Sequence, residues 1–193
     1  MVKYNLAMVS PKEIADVLNK PGSVVIMPTD TVYGLVSRAT DVIATKYMYS
    51  LKDRHKKPGT LIGSSIEQLS GIGLKKRYLK AVEQYWPGAV SVLIPCPDPK
   101  LEYLTQGLSQ LAVRVPDNML VQEVLKYTGP LMTTSANSPG DPPAETVNQA
   151  KGYFKNSVKY YFDGGDLKGN QPSTIIRIID DAVEVVRQGA VKI

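Results

Sequence analysis

Residue types that mark secreted, metal-binding or membrane proteins are scarce in this chain. Its 193 residues include one cysteine, one histidine, one tryptophan and two phenylalanines. A lone cysteine cannot form an internal disulfide, and one cysteine with one histidine cannot complete a common zinc site. No run reaches the roughly 18 apolar residues of a membrane-spanning helix, and residues 1–5 lack the apolar core of a signal peptide. These absences predict a cytoplasmic protein with no membrane partner and no metal site built from its own side chains.

Catalysis by a side-chain nucleophile also has little support. Cys96 lies in the apolar stretch 92–97, so we interpret it as a core residue rather than a reactive thiol. His55 lies in a basic, polar loop, whereas a Ser-His-Asp or Cys-His mechanism would need it held rigidly beside a nucleophile. The chain lacks the G-x-x-x-x-G-K-[ST] and G-x-G-x-x-G loops of common nucleotide-binding folds. No covalent nucleophile is therefore predicted, and any use of ATP would be unconventional.

The composition is that of an ordinary globular protein with a basic surplus. Hydrophobic residues make up 43% and charged residues 21% of the chain. The length fits one domain with a sizeable core, so we predict a single domain over residues 1–193. The 23 Lys and Arg exceed the 18 Asp and Glu, and much of the surplus falls in residues 52–57 and 75–80. Such a surplus favours polyanionic partners such as nucleotides or RNA, although basic runs are usually solvated faces.

Hydrophobic periodicity predicts strands that alternate with helices. Ser10 and Glu13 form a capping box around Pro11, which predicts a first helix ending near Lys20. Short apolar, β-branched runs predict strands, and the last two are separated by a polar turn that suits an antiparallel hairpin. The expected fold is an α/β protein with a twisted, mixed parallel and antiparallel sheet flanked by helices. The other predicted helices span 41–51, 74–85 and 119–127, and the predicted strands span 24–26, 60–62, 90–94, 111–115, 131–134, 158–162, 174–179 and 183–186.

Polar residues cluster where predicted strands end. Residues 29–31 follow one strand, residues 133–137 follow another, and Gly164-Gly165 follow a third. Open α/β sheets place ligands at such strand exits, although Ser, Thr, Asp and Asn there often make only local turns and caps. Cations elsewhere could neutralise a phosphate or carboxylate, so the set suits an anionic ligand. These cations are Lys52, Arg54, Lys57, Arg114 and Arg187.

Arg114 is the most informative of these cations. It interrupts an otherwise apolar strand at 111–115. A buried guanidinium without a partner would be strongly destabilising. The pattern alone leaves a structural ion pair and a ligand carboxylate equally open.

Five motifs occur together in one order along the chain. They are Pro28-Thr29-Asp30-Thr31-Val32-Tyr33-Gly34-Leu35, then Lys52-Asp53-Arg54, Ser135-Ala136-Asn137, Pro172-Ser173-Thr174 and Arg187-Gln188-Gly189. Any one of them is weak, but together they make the chain resemble the YrdC-like threonylcarbamoyl-AMP synthase family over residues 10–190. The resemblance is to the short single-domain form with a YrdC-like fold. The chain lacks the zinc-finger and acylphosphatase-like segments of the related carbamoyl-transfer maturation proteins.

The resemblance implies a reaction and a division of the site. Family members condense L-threonine, bicarbonate and ATP to threonylcarbamoyl-AMP and pyrophosphate, for the threonylcarbamoylation of a tRNA adenosine by downstream transferase proteins. It implies tRNA as a possible direct partner, and Mg²⁺ carried in on the ATP phosphates. By the family's motifs, threonine would be held by Thr31, Arg114 and Ser173. ATP would be held by Lys52, Arg54, Lys57, Thr133, Ser135, Asn137 and Arg187.

One departure from the motif and two rival functions stay open. The family often has proline directly after the K-x-R arginine and lysine four residues beyond it, whereas His55 and Lys57 stand here, which leaves the role of Lys57 open. A non-catalytic protein that binds double-stranded RNA or tRNA would use the same basic residues, with affinity that falls steeply with salt. An ATP-dependent enzyme could also carbamoylate an amino compound other than threonine.

Overall fold

The computed structural model describes residues 10–52, 56–180 and 182–193. In these ranges the chain forms nine strands and seven α-helices. The strands are β1 (Val24–Pro28), β2 (Tyr33–Arg38), β3 (Thr60–Ile62), β4 (Val90–Pro95), β5 (Gln110–Arg114), β6 (Leu131–Ser135), β7 (Tyr160–Tyr161), β8 (Thr174–Ile179) and β9 (Ala182–Arg187). The helices are α1 (Pro11–Leu18), α2 (Val42–Ser50), α3 (Ile66–Gly71), α4 (Lys76–Lys80), α5 (Glu102–Thr105), α6 (Met119–Thr128) and α7 (Val147–Phe154).

All of these strands belong to one mixed sheet, in the order β7-β1-β2-β6-β3-β5-β4-β8-β9. The pairs β1–β7, β3–β5 and β4–β8 are parallel, and the other five neighbouring pairs are antiparallel. The predicted mixed α/β sheet is therefore confirmed. The predicted C-terminal hairpin is confirmed as well, because β8 pairs antiparallel with β9.

Each face of the sheet has its own apolar core. Successive side chains of a strand point to opposite faces, so Val24 and Ile26 join one cluster while Val25 and Met27 join the other. Helices α1 and α6 contact each other and cover the second cluster, which includes Ile62. The other five helices contribute to the first cluster. We call the face that carries the second cluster the second face. Helices α1 and α6 cover it around β1, β2, β6 and β3. The part of this face that they leave uncovered is polar and lies towards β5, β4 and β8.

Several boundaries follow from local chemistry that the sequence displays. Ser10 caps α1, where its hydroxyl accepts from Glu13 N (3.4 Å), and Asp41 caps α2 by accepting from Ala44 N (2.9 Å). Such side-chain acceptors satisfy the orphan N–H groups of a helix's first turn. Helix α6 lies where it was predicted. The strand predicted at 158–162 is shorter in the structure, where only the two residues of β7 form a strand.

The predicted helix at 74–85 is wrong in its extent. Only α4 is α-helical there. Val82 has φ −123° and ψ 10°, and a 3₁₀ helix follows at Glu83–Tyr85. Trp86 is extended (φ −128°, ψ 148°), as is favoured for the residue before Pro87, and its indole N–H donates to Val90 O (2.9 Å). The helical spacing of the apolar residues thus continues beyond the point where the α-helix ends.

Residues 29–31 follow β1 directly, as the sequence predicted, and a second strand begins soon after them. Strand β2 was not predicted, and it pairs antiparallel with β1 from Val24↔Ser37 to Pro28↔Tyr33. Residues 29–32 are therefore the loop of a β-hairpin. Within the described ranges, no helix has the length and apolar character needed to cross a membrane.

Candidate active site

A polar pocket occupies the part of the second face that α1 and α6 leave open. Thr133 shares this face with Leu131, a member of the second cluster, and Arg114 faces away from Leu111 and Val113, which belong to the first. Alternation along the strand thus places Arg114 in the pocket and not in the apolar core. The lining residues are Thr29, Thr31, Val32, Gly34, Pro58, Gly59, Thr60, Ala112, Arg114, Thr133, Thr134, Ser135, Pro172, Ser173, Ile175 and Arg187.

The hairpin loop presents the Thr31 hydroxyl in a defined direction. Thr29 Oγ1 donates to Val32 O (2.6 Å) and accepts from Thr31 N (3.2 Å). The contact between the two threonine hydroxyls (3.1 Å) therefore uses the proton of Thr31. Thr29 thus makes the local turn contacts that such residues often make. The lone pairs of Thr31 Oγ1 remain, so Thr31 can accept a hydrogen bond from a ligand.

A glycine gives the pocket its depth beside this loop. A Cβ on Gly34 would lie 2.8 Å from Thr133 Oγ1 and 3.0 Å from Thr29 Cγ2. Any larger side chain would therefore displace pocket-lining groups. No hydrogen bond of the Thr133 hydroxyl occurs among the described residues, which leaves it available to a ligand.

Arg114 has an internal counter-ion. Its Nη2 donates to Asp30 Oδ1 (2.9 Å), its Nη1 donates to Ser91 Oγ (3.2 Å), and the side chains of Arg114 and Asp30 are each 3% exposed. The structural ion pair left open by the sequence is thus present, and Asp30 is its other half. Two buried atoms of this pair, Asp30 Oδ2 and Arg114 Nε, have no hydrogen-bond partner in the described part of the chain. The guanidinium is fixed and keeps donor capacity towards the pocket.

The two C-terminal motifs form one structural unit at the pocket rim. Arg187 Nη2 donates to Ser173 O (2.6 Å), and its contact with Ser173 Oγ is 3.4 Å. A Cβ on Gly189 would lie 2.2 Å from Pro172 O and 2.6 Å from the carbonyl carbon of Ser173. The glycine is thus required for close packing between the motifs. Because Ser173 is buried and Arg187 is exposed, the unit presents a cation at the rim.

Lys52 and Asn137 have the opposite character, since their polar groups are committed inside the protein. Lys52 is 2% exposed, and its ammonium donates to Ser135 O (2.9 Å), to Asn137 Oδ1 (2.7 Å) and to Asn137 O. Asn137 Oδ1 also accepts from Ser135 Oγ (2.7 Å), while Asn137 Nδ2 donates to Ser138 O and Asp141 O. These contacts match the three N–H donors of the Lys52 ammonium, and the Asn137 amide makes all four of the hydrogen bonds that an amide group can make. Both side chains therefore organise the loop after β6, and their expected contacts with ATP stay predictions.

The other predicted site residues have different outcomes. Thr31, Arg114, Ser173, Thr133, Ser135 and Arg187 line one pocket, as the motifs imply. Lys57 is not among the lining residues; its side chain is exposed and its backbone N–H donates to Gln106 Oε1 (3.4 Å). Arg54 and His55 lie outside the described residues.

Tyr33 fastens the glycine loop that the sequence suggested as a ligand site. Its hydroxyl accepts from Gly164 N (2.9 Å) and donates to Gly165 O (2.8 Å). Burial is the main factor that raises the pKa of Tyr33 to about 12, and the nearby carboxylates of Asp163 and Asp166 also raise it. Gly164 and Gly165 are therefore part of the scaffold, because neither residue lines the pocket.

Cys96 is a buried thiol, and its buried position raises its pKa, with a smaller contribution from the charge of Asp98. A thiol that resists ionisation is a poor nucleophile. The interpretation of Cys96 as a packing residue agrees with this environment.

Sequence reasoning missed two residues of the site, Asp30 and Ser91. Asp30 was seen as part of a polar cluster but was not paired with Arg114. Ser91 interrupts the apolar strand β4 just as Arg114 interrupts β5, and β4 pairs antiparallel with β5. Two polar interruptions in neighbouring strands are the signal that could have joined them.

Comparison with known proteins assigns the family. The Sua5/YciO/YrdC family model, described as "Telomere recombination", matches residues 17–189. The chain belongs to the Sua5/YciO/YrdC family. The resemblance inferred from the five motifs is thereby confirmed.

Curated relatives of the chain carry the name threonylcarbamoyl-AMP synthase. A threonylcarbamoyl-AMP synthase of Bacillus subtilis (strain 168) is 30% identical over 183 residues, which are 92% of this chain and 53% of that protein. Another from Stutzerimonas stutzeri (strain A1501) is 32% identical over 171 residues, 87% of this chain and 91% of that protein.

A solved structure of a relative is similar as well. The structure of P. abyssi Sua5 complexed with L-threonine has a TM-score of 0.80 at 25% identity, and the match covers 93% of this chain and 54% of that one. The chain thus spans about half of the Bacillus and P. abyssi proteins and most of the Stutzerimonas protein. The names of these relatives support the predicted synthase function.

Proposed function

We propose that this protein is an L-threonylcarbamoyladenylate synthase, a nucleotidyltransferase that condenses L-threonine, bicarbonate and ATP. The observation that carries the proposal is the pocket itself. It combines a buried, oriented guanidinium, hydroxyls of opposite hydrogen-bonding polarity and a second arginine at the rim. The synthase names of the relatives point to the same activity.

The inner part of the pocket suits the head group of an amino acid. Arg114 is held by Asp30 and keeps free donors, so it can bind a carboxylate through charge-assisted bonds. Thr31 can accept from an amine or a hydroxyl. Ser173 Oγ is linked to Arg114 through Ser91 Oγ, and we propose that it donates to the same carboxylate. L-threonine offers all three groups, and the similar P. abyssi protein was solved with L-threonine.

The rim suits a nucleotide. Arg187 is exposed and positively charged, and we assign it to the phosphates. Ser135 Oγ donates to Asn137 Oδ1, so towards a ligand it acts as an acceptor, and a ribose hydroxyl can donate to it. Thr133 lines the same pocket and stays a predicted nucleotide ligand. We propose that Lys52 and Asn137 act by holding Ser135 in place, while Arg54 stays a predicted phosphate ligand.

The chemistry asks mainly for positioning and charge neutralisation. The threonine nitrogen forms a bond to the carbon of bicarbonate and water leaves, which gives a carbamate. A carbamate oxygen then bonds to the α-phosphorus as the bond to the β-phosphate oxygen breaks, so that pyrophosphate departs with its electron pair. Because a carbamate anion and a triphosphate repel each other, arginines on both sides lower the barrier by neutralising charge.

The lining residues do not form a protein cage for Mg²⁺. Among the described residues that line the pocket there is no Asp or Glu, and the nearby Asp30 is bound to Arg114. Magnesium prefers oxygen ligands and commonly binds through substrate phosphates. We propose that any Mg²⁺ enters with ATP. The product would then pass to transferase proteins that modify tRNA, and a cytoplasmic location and direct contact with tRNA stay predictions.

The test is pyrophosphate release by the purified protein. We expect release with ATP, bicarbonate and L-threonine, and much less with L-serine or with no amino acid. Release that is equal for other amino compounds would indicate a different carbamoylating enzyme. Binding of ATP without release, together with salt-sensitive RNA affinity, would favour the non-catalytic RNA-binding alternative.

A further inference from the structure

A chain of buried polar contacts joins the two arginines of the pocket. Arg114 Nη1 donates to Ser91 Oγ (3.2 Å), Ser91 Oγ lies 2.9 Å from Ser173 Oγ, and Arg187 Nη2 contacts Ser173 O (2.6 Å) and Ser173 Oγ (3.4 Å). Ser91 is fully buried and does not line the pocket, so it meets ligands only through its neighbours.

The sheet topology puts Ser91 between the two subsites. Strand β4 lies between β5, which ends in Arg114, and β8, which begins directly after Ser173. Ser91 pairs with Ile175 of β8 in the parallel register, and the neighbouring Val92 pairs with Val113 of β5. The Ser91 side chain therefore contacts a residue of each subsite, Arg114 and Ser173, without lining the pocket itself.

The donor and the acceptor of each hydrogen bond in this series of buried contacts can be assigned from chemistry alone. A guanidinium only donates, so Ser91 Oγ accepts from Arg114. The Ser91 hydroxyl proton would lack a partner in a fully buried site unless it were donated to Ser173, and such an unmade bond would be unfavourable. Ser173 Oγ therefore accepts from Ser91. Its own proton is left to point into the pocket, towards a ligand acceptor.

We propose that Ser91 is a positioning residue that couples amino-acid binding at Arg114 to nucleotide binding at Arg187. The inference rests on the proposed function. A carboxylate that binds Arg114 and Ser173 fixes the hydroxyl chain, and the fixed chain holds the Ser173 carbonyl that orients Arg187. Coupling of this kind is reciprocal, so each ligand raises the affinity of the other by the same factor.

The experiment measures that factor by calorimetry. L-threonine is titrated into the protein with and without the non-hydrolysable α,β-methylene analogue of ATP, and the ratio of the two dissociation constants is the coupling factor. We expect about fivefold or more for the wild type, the lower end of typical allosteric coupling. In Ser91→Ala the factor should fall to below about twofold, while each ligand alone still binds.

Two further comparisons separate coupling from structural damage. Ser37→Ala removes another fully buried serine hydroxyl, which contacts Thr45 and Met48 away from the pocket. It should lose stability like Ser91→Ala but keep the wild-type coupling factor. Ser91→Thr and Ser91→Val have the same shape and differ in the hydroxyl, so the threonine variant should keep the coupling that the valine variant loses, even if the alanine variant does not fold.

The outcomes distinguish this inference from the proposed function. A wild type that binds neither threonine nor the nucleotide analogue overturns both. A wild type that binds both ligands with a coupling factor of one, or one whose factor survives in Ser91→Val, overturns the role of Ser91 alone.

Discussion

Replacing Lys52 with methionine distinguishes a buried organiser from a phosphate ligand. The change removes three hydrogen bonds to oxygen atoms of Ser135 and Asn137. Among the described residues, Asn137 O has no other hydrogen-bond donor, and leaving this partly buried carbonyl unpaired costs up to about 1–3 kcal/mol. The other two acceptors keep a second donor, so each loses about 0.5–1.5 kcal/mol. Because methionine avoids the desolvation of a buried ammonium, we expect a net loss of about 2–4 kcal/mol in the free energy of unfolding.

The assay is urea unfolding of Lys52→Met beside Lys56→Met, which changes an exposed lysine of the same loop. The Lys56 variant should lie within about 0.5 kcal/mol of the wild type, as surface substitutions usually do. The KM for ATP should rise in Lys52→Met because Ser135 is no longer held. A variant with wild-type stability but a raised KM for ATP would refute the organiser role, since it would place the ammonium on the phosphates.

Other changes test the rest of the site. Arg114→Ala should raise the KM for threonine about tenfold to a hundredfold and Arg187→Ala that for ATP by a similar factor, as expected when a charge-assisted bond is lost; equal, small effects on both constants would contradict the division of the site in steady-state kinetics. The raised pKa of Tyr33 means that its stabilising contribution is present below the unfolded value near pH 10 and is lost as pH rises towards about 12. Between pH 10 and 12 the wild type should therefore lose about 2–3 kcal/mol relative to Tyr33→Phe in denaturant unfolding, and parallel pH profiles would refute this. Gly189→Ala should unfold at a clearly lower temperature than the wild type because its Cβ would lie 2.2 Å from Pro172 O, and an unchanged melting temperature would contradict that packing.

Sequence patterns predicted the elements whose signal is local. The cap at Ser10, the apolar runs of β4, β5 and β8 and the hairpin of β8 with β9 can each be inferred from neighbouring residues. Strand β2 was missed because Gly34 and two polar residues at its end weaken its strand pattern, while its stability comes from pairing with β1 and β6. Helices α3 and α7 were missed although Ser65 and Thr146 cap them with a glutamine three residues on, which is a capping signature.

The candidate site divides in the same way. Motif resemblance brought six of the predicted residues into one pocket, because motifs record which residue types recur together. It could not separate residues that face the ligand from those that hold them. Ser135 lines the pocket whereas Lys52 and Asn137 do not, and that difference depends on the packing of the loop after β6. Asp30 and Ser91 both contact Arg114, and they come from parts of the chain that are far from it in the sequence.

Product formation from labelled bicarbonate tests the central claim most directly. Purified protein would be incubated with ATP, L-threonine and ¹³C-bicarbonate, and the nucleotide products analysed by mass spectrometry. The account predicts a threonylcarbamoyl-AMP species that carries one ¹³C atom, appears together with pyrophosphate and is absent without threonine. Unlabelled AMP alone, or no nucleotide product while ATP and threonine both bind, would contradict it.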